Sequence, residues 1–147
     1  MPMSDADLAR FIDAQSRVYD DALAELRAGR KASHWMWFVF PQIAGLGASP
    51  TSRHYAIRSA AEARAFLAHP VLGRRLRACT EALLQHEDRS AEAMLGSIDA
   101  VKLRSSITLF EAVSAGEDAR LFGHCLDRFF AGMRDPMTLR LLAPPPD

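Results

Sequence analysis

A mainly α-helical, single compact domain is the fold class this sequence predicts, and three observations carry the prediction. Almost every segment places apolar residues three and four apart, the period of a helix with one buried face. Neither Asn-Gly nor Asp-Gly, the strongest short-range hairpin signals, occurs anywhere. Apolar residues make up 49% of the 147 positions, enough for one core and too many for a disordered chain. Six to eight helices are expected over residues 1–147, with at most a small strand element in 31–58 and a loose tail at 143–147.

The elements follow in order. Leu8, Phe11, Ile12, Gln15, Val18, Tyr19, Ala22, Leu23 and Leu26 draw one stripe, so one helix is expected there. Ser4 is placed to cap it, Asp5 and Asp7 favour its dipole, and Gly29 stops it. Trp35–Phe40 is an unbroken apolar run, too short to separate helix from extended chain by period, and Pro41 ends it. Gly45–Thr51 reads as a loop. Ser59 and Glu62 match a capping box and open a short helix to about Ala68. His69-Pro70 breaks it, and Leu72, Leu76, Cys79, Leu83 and Leu84 face the next helix inward. Ser90 to Leu95 forms a short helix closed by Gly96, and Ser97 caps another that runs to Gly116. Leu121, Phe122, Cys125, Leu126, Phe129 and Phe130 mark a strongly amphipathic helix closed by Gly132. Asp135-Pro136 then opens a last short turn to Leu142.

Charge and composition narrow the function. Lysine plus arginine equals aspartate plus glutamate at 18 each, so no basic field argues for nucleic acid or a membrane surface. No apolar run is long enough to span a bilayer, and no basic-apolar-small leader pattern is visible, so the expectation is cytoplasmic. Cys79 and Cys125 sit in apolar helical contexts and read as buried thiols. The histidines are scattered without metal-ligand spacing, so no metal and no cofactor is expected. The balanced charge permits a homo-oligomer without predicting one.

Residues 31–49 are the most informative stretch. They hold both tryptophans, with Lys31, Ser33 and His34 before the apolar run and Gln42 and Ser49 after it. Such mixing suits a ligand pocket, which has mostly apolar walls and a few convergent polar groups. His34 reads either as a general acid/base or ligand contact, or as a loop histidine bonded to a carbonyl. Trp35 and Trp37 read either as stacking surfaces or as core anchors. Gly45-Leu-Gly47 with Ser49, Thr51, Ser52 and Arg53 reads either as an anion cradle or as an ordinary glycine turn. A second constellation, Asp99, Lys102 and Ser106, shares one line along a helix. Serine and threonine are poor helix-interior choices, so their concentration at 105–108 points to local polar contacts or a ligand.

Taken together, Arg10-Phe-x-x-x-Gln15, Lys31-x-Ser33-His34-Trp-Met-Trp-Phe-x-Phe-Pro41-Gln42, Gly45-Leu-Gly47-x-Ser49 and Tyr55-Ala-Ile57 resemble the bacterial domain of unknown function 1810. Glu62-Ala63, Asp99-x-x-Lys102-x-x-Ser105-Ser106-x-Thr-Leu-Phe110 and Asp135-x-x-Thr138-Leu extend the resemblance to nearly the whole chain. Members are sometimes labelled calpastatin, a disordered inhibitor, which does not fit this globular composition. The family is distantly similar to the NADAR superfamily, helical proteins that include N-glycosidases acting on ribosylated compounds. That resemblance implies an aromatic-walled pocket for a nucleotide-like or ribosylated small molecule. NADAR enzymes carry an acid before a His-Tyr pair. Here Arg53 precedes His54-Tyr55, so a glycosidase would take its acid from Glu62 or Asp99.

The expected site therefore has Asp99, Glu62 and His34 as catalytic groups. Trp35, Trp37, Gln42, Ser49, Arg53, Tyr55, Lys102 and Ser106 are the expected ligand contacts. The alternative is a noncatalytic interaction module, in which these polar groups are dispersed and the tryptophans lie on a flat exposed patch.

Overall fold

The computed structural model describes residues 5–143, with side chains from Leu8 onward. The expected Ser4 cap, the Asp5 and Asp7 side chains and most of the 143–147 tail lie outside what is described. Ten helices follow one another among the described residues: α1 (Asp5–Ser16), α2 (Tyr19–Ala28), α3 (Met36–Val39), α4 (Pro50–His54), α5 (Ala60–Ala68), α6 (Leu72–Leu84), α7 (Ala91–Leu95), α8 (Ser97–Val113), α9 (Gly116–Phe130) and α10 (Pro136–Leu142). Among the described residues, extended pairing is limited to one parallel bridge, Ile43 with Ile57, inside the 31–58 stretch where a small strand element is expected.

The helices number ten rather than six to eight, chiefly because the first stripe is two helices and the 31–58 stretch holds two short ones. Val18 leaves helical geometry (φ −127°, ψ −10°) and separates α1 from α2. The apolar period runs on across the break, which is why it reads as continuous. The partners differ, however: α1 packs on α3, whereas α2 packs on α6. Gly29 ends α2 in the left-handed region at φ 75°, as its position predicts.

Ser49, Ser59, Ser90 and Asp135 each cap a helix by accepting a backbone N–H from its first turn. Glu62 reaches back as a capping-box residue does, but to the N–H of Arg58 at 3.1 Å. Ser97 is not a cap. Gly96, at φ 87°, precedes α8 without a side-chain bond.

The core is organised around α8, which packs against α5, α7, α9 and α10. Every residue from Ser105 to Phe110 is buried, so this segment has no solvent face. Its aromatic spine runs from Phe11 to Phe66 (5.1 Å, edge-on), Phe66 to Phe110 (5.3 Å) and Phe110 to Phe122 (6.2 Å). Total burial explains the hydroxyl run. Ser105 donates to Asp135 Oδ2 at 2.9 Å, the Asp135 N–H donates to Thr108 Oγ1 at 3.0 Å, and Thr138 also donates to Asp135. These bonds clamp α10 onto α8. Cys79 and Cys125 are buried, and burial pushes both thiols up to about 12, so neither is a nucleophile near neutral pH.

The segment before α3 is set by a residue with no periodic signal. The Glu25 carboxylate accepts from the N–H groups of Ala32 (2.7 Å) and Ser33 (3.0 Å), from Ser33 Oγ (2.5 Å) and from Trp35 Nε1 (2.9 Å). Burial pushes its pKa up, but these bonds outweigh burial and bring it from 4.5 down to about 2. A folded-state value below the unfolded one means the stabilisation is complete above pH 4.5 and is lost as pH falls towards 2. Glu25→Gln is therefore expected to lower stability at pH 7 by about 1–2 kcal/mol, allowing for solvent screening. Melting temperatures of wild type and variant, followed from pH 7 to pH 2, should converge at the acid end. Parallel curves would contradict this role for Glu25.

Candidate functional site

The 43–57 segment forms a loop closed at its base. Ala44 N–H donates to the Ile57 carbonyl and Ile57 N–H to the Gln42 carbonyl, both at 2.8 Å. Arg10, on α1, holds the returning limb: Nε donates to the His54 carbonyl and Nη2 to the Ala56 carbonyl, both at 2.9 Å. Arg10 Nη2 also meets Glu62 Oε1 at 2.6 Å. Within the loop, a Cβ on Gly47 would lie 2.7 Å from the Ser52 side chain, so this position needs glycine for close approach.

A cavity of about 270 Å³ opens between this loop and α3. Trp37 and Tyr55 supply aromatic wall, Ile43, Ala44 and Ala56 apolar wall, and Gly45 and Gly47 bare backbone. Gln42, Ser52, Arg53 and Arg58 supply polar groups. Two arginines line it and, among the described residues, no carboxylate does. Tyr55 packs against Phe38 at 5.2 Å and His54 at 4.6 Å, which fixes the ring.

A second basin of about 350 Å³ adjoins it, sharing Gln42, Gly47 and Ser52. Leu46, Ile98, Val101 and Lys102 complete its lining. Lys102 Nζ stands 4.6 Å from the centre of the Trp37 ring and 3.6 Å from Asp99. Asp99 is also bonded to Lys31 at 2.9 Å, so two ammonium groups share one carboxylate.

The structure thus brings together Trp37, Gln42, Arg53 and Tyr55 of the expected site, with Lys102 in the adjoining basin and Asp99 beside Lys102. The others lie elsewhere. His34 is exposed in the segment before α3 and does not line either basin. Trp35 is fully buried, its ring 6.3 Å from Phe40. Ser49 caps α4 and donates to Ser52 Oγ at 2.8 Å. Ser106 is buried in α8 with its hydroxyl unpartnered. Glu62 is 1% exposed, paired with Arg10 through Oε1, while Oε2 has no hydrogen-bond partner. Arg58, which the sequence reading passed over, lines the cavity. An exposed arginine ahead of a capping serine reads as solvated surface, so no local pattern marks it.

Fold and cavity together define a mainly helical domain with a basic, aromatic-walled recess between α3 and the 43–57 loop. Residues 5–142 match the family described as "Protein of unknown function (DUF1810)", and the chain belongs to that family. It is similar to the conserved hypothetical protein Rv1873 from Mycobacterium tuberculosis. That protein's crystal structure superposes with a TM-score of 0.92 at 45% identity, over 97% of this chain and 100% of that one. No curated protein matches. Among the described residues, no helix is long and apolar enough to cross a membrane, and no group of three or more His, Cys, Asp or Glu could hold a metal ion.

Proposed function

We propose that the recess binds an anionic, ring-bearing small molecule of the nucleotide-like or ribosylated class. The observation that carries this reading is the lining itself: two aromatic rings and two arginines around about 270 Å³, with no lining carboxylate among the described residues. Trp37 offers a ring face for stacking, Arg53 and Arg58 pair with phosphate, and Gln42 orients a polar edge. The resemblance to NADAR proteins supports the ribosylated part of the class.

N-glycosidic cleavage would need a carboxylate facing the sugar, because positive charge develops there. Asp99 is better placed than Glu62, since it is paired with Lys102, which lines the second basin, although Asp99 itself lines neither cavity, whereas Glu62 is buried against Arg10. Binding is therefore the primary reading, and hydrolysis is its extension through Asp99. Asp99→Asn should abolish any turnover while retaining affinity. Retained turnover would remove Asp99 from that role.

The test of binding is thermal stabilisation against nucleotides, ADP-ribose, NAD and riboflavin-pathway intermediates. A ligand that binds only the folded state raises the melting temperature with its saturation. Trp37→Ala, and the Arg53→Ala/Arg58→Ala pair, should each weaken a binder by about tenfold or more. Ribosylated compounds that give no shift would favour the noncatalytic interaction module instead.

A further inference from the structure

The two most exposed large apolar side chains of the described residues are Ile98, at 73%, and Val101, at 64%. Both lie on the first turns of α8, and both line the second basin. Their exposure is unlike the rest of α8, where apolar side chains such as Leu103 and Ile107 are wholly buried. Solubility gives no reason for isoleucine and valine at these positions. With Leu46 they make the apolar side of an open basin of about 350 Å³.

This floor adjoins the first cavity, and Gln42, Gly47 and Ser52 line both. Lys102 lines the second basin and stands 4.6 Å from the Trp37 ring that walls the first, so it marks the boundary between them. Among the described residues Lys31 and Lys102 both pair with Asp99 alone, Lys102 at the longer distance, so the trio carries a net positive charge. Along the line from Tyr55 to Val101 the lining therefore changes from aromatic and cationic, through an ammonium group, to aliphatic.

We infer that the ligand is a conjugate: a nucleotide whose phosphate carries an apolar alkyl or acyl group. The inference rests on the nucleotide-like reading of the first cavity. The ring stacks in that cavity, the phosphodiester or acyl phosphate crosses at Lys102, and the apolar group lies on Leu46, Ile98 and Val101. A small ligand suits this basin better than a second copy of the chain, which would need a broad apolar face.

The experiment compares the methyl and hexyl phosphodiesters of adenosine 5′-monophosphate, which carry the same charge, by calorimetry. The wild-type chain and an Ile98→Ser/Val101→Ser variant are used. Both substituted side chains are exposed, so the variant should fold. The hexyl ester is expected to bind the wild type about tenfold tighter or more, since burying two methylene groups is worth about that factor. In the variant that gain should fall below about twofold, with methyl-ester affinity unchanged. A hexyl ester no tighter than the methyl ester, or a gain that survives in the variant, overturns the inference and leaves the first cavity standing. Failure of both esters to bind overturns the reading of the first cavity and this inference with it. Sedimentation of the free proteins covers the remaining occupant: a wild-type dimer that the variant dissociates would mean a second copy covers the floor, against the inference.

Discussion

Replacing Arg10 with alanine is expected to cost about 3–5 kcal/mol, the range for breaking a buried ion pair by removing one partner. Arg10 and Glu62 have side-chain exposures of 9% and 1%, so the carboxylate left behind would have neither cation nor solvent. The same substitution frees the His54 and Ala56 carbonyls, which Arg10 holds in the limb bearing Tyr55 and Arg58. Stability and site shape should fail together. The melting temperature should fall by roughly 10 °C for a chain of this size. A double variant, Arg10→Met with Glu62→Leu, separates the two effects. It removes the orphaned charge and should recover most of the stability, as apolar replacements of buried pairs often do. It cannot restore the carbonyl bonds, so any ligand that binds the recess should remain weakened. Full stability in the single variant would show that the pair contributes nothing.

Gly73→Ala is the second large effect, and its sign runs against helix propensity. Alanine inside a helix is ordinarily better than glycine by about 1 kcal/mol. At Gly73, however, an added Cβ would lie 2.0 Å from the Leu67 carbonyl oxygen, which is backbone. Helices α5 and α6 would have to separate. That oxygen also accepts from Arg77 Nη2 at 3.2 Å, and Arg77 ties α6 to α9 through Asp118 at 2.8 and 2.9 Å. A net loss of at least about 2 kcal/mol is expected by chemical denaturation, in the range of overpacked cores. Gly123→Ala is the control. Its Cβ would meet the end of the Glu111 side chain at 2.9 Å, which is not backbone but is held by Arg134 through both carboxylate oxygens, so the pair has to shift by a few tenths of an ångström. That variant should lose clearly less stability than Gly73→Ala. Equal behaviour of the two would show that the α5–α6 approach is adjustable.

Helix ends set by one residue acting on its own backbone were the legible ones: the Ser59 cap, the helix start at Ser90, the Gly29 stop and the Asp135-Pro136 start. Two such signals were still misassigned, because Ser49 caps a helix inside the expected loop and Ser97 caps none. The sequence failed where the decision belongs to distant partners. The interruption at Val18 is invisible because both halves keep the same apolar period and differ only in the helix they meet. Glu25 lies seven to ten positions from the groups it binds, a spacing no helix or strand pattern marks. The hydroxyl run of α8 is legible because such residues need partners. Ser105 and Thr108 find theirs in α10, and Ser106 finds none. The site was half legible on the same grounds. Trp37, Gln42 and Tyr55 stand out by type beside Pro and Gly. Trp35, identical in type and two positions away, is turned to the core by its bond to Glu25.

The base-paired loop from Ile43 to Ile57 has an evolutionary corollary. Its two ends are joined to each other by backbone bonds, so its span does not depend on its contents. Doubling the length of such a closed segment costs only about 0.6 kcal/mol in closure entropy. Most of the recess is written in this one stretch of chain, while the spine through Phe11, Phe66, Phe110 and Phe122 lies outside it. If the recess binds a ligand as proposed, related chains can change that ligand by rewriting a few consecutive codons, with the helical scaffold inherited intact.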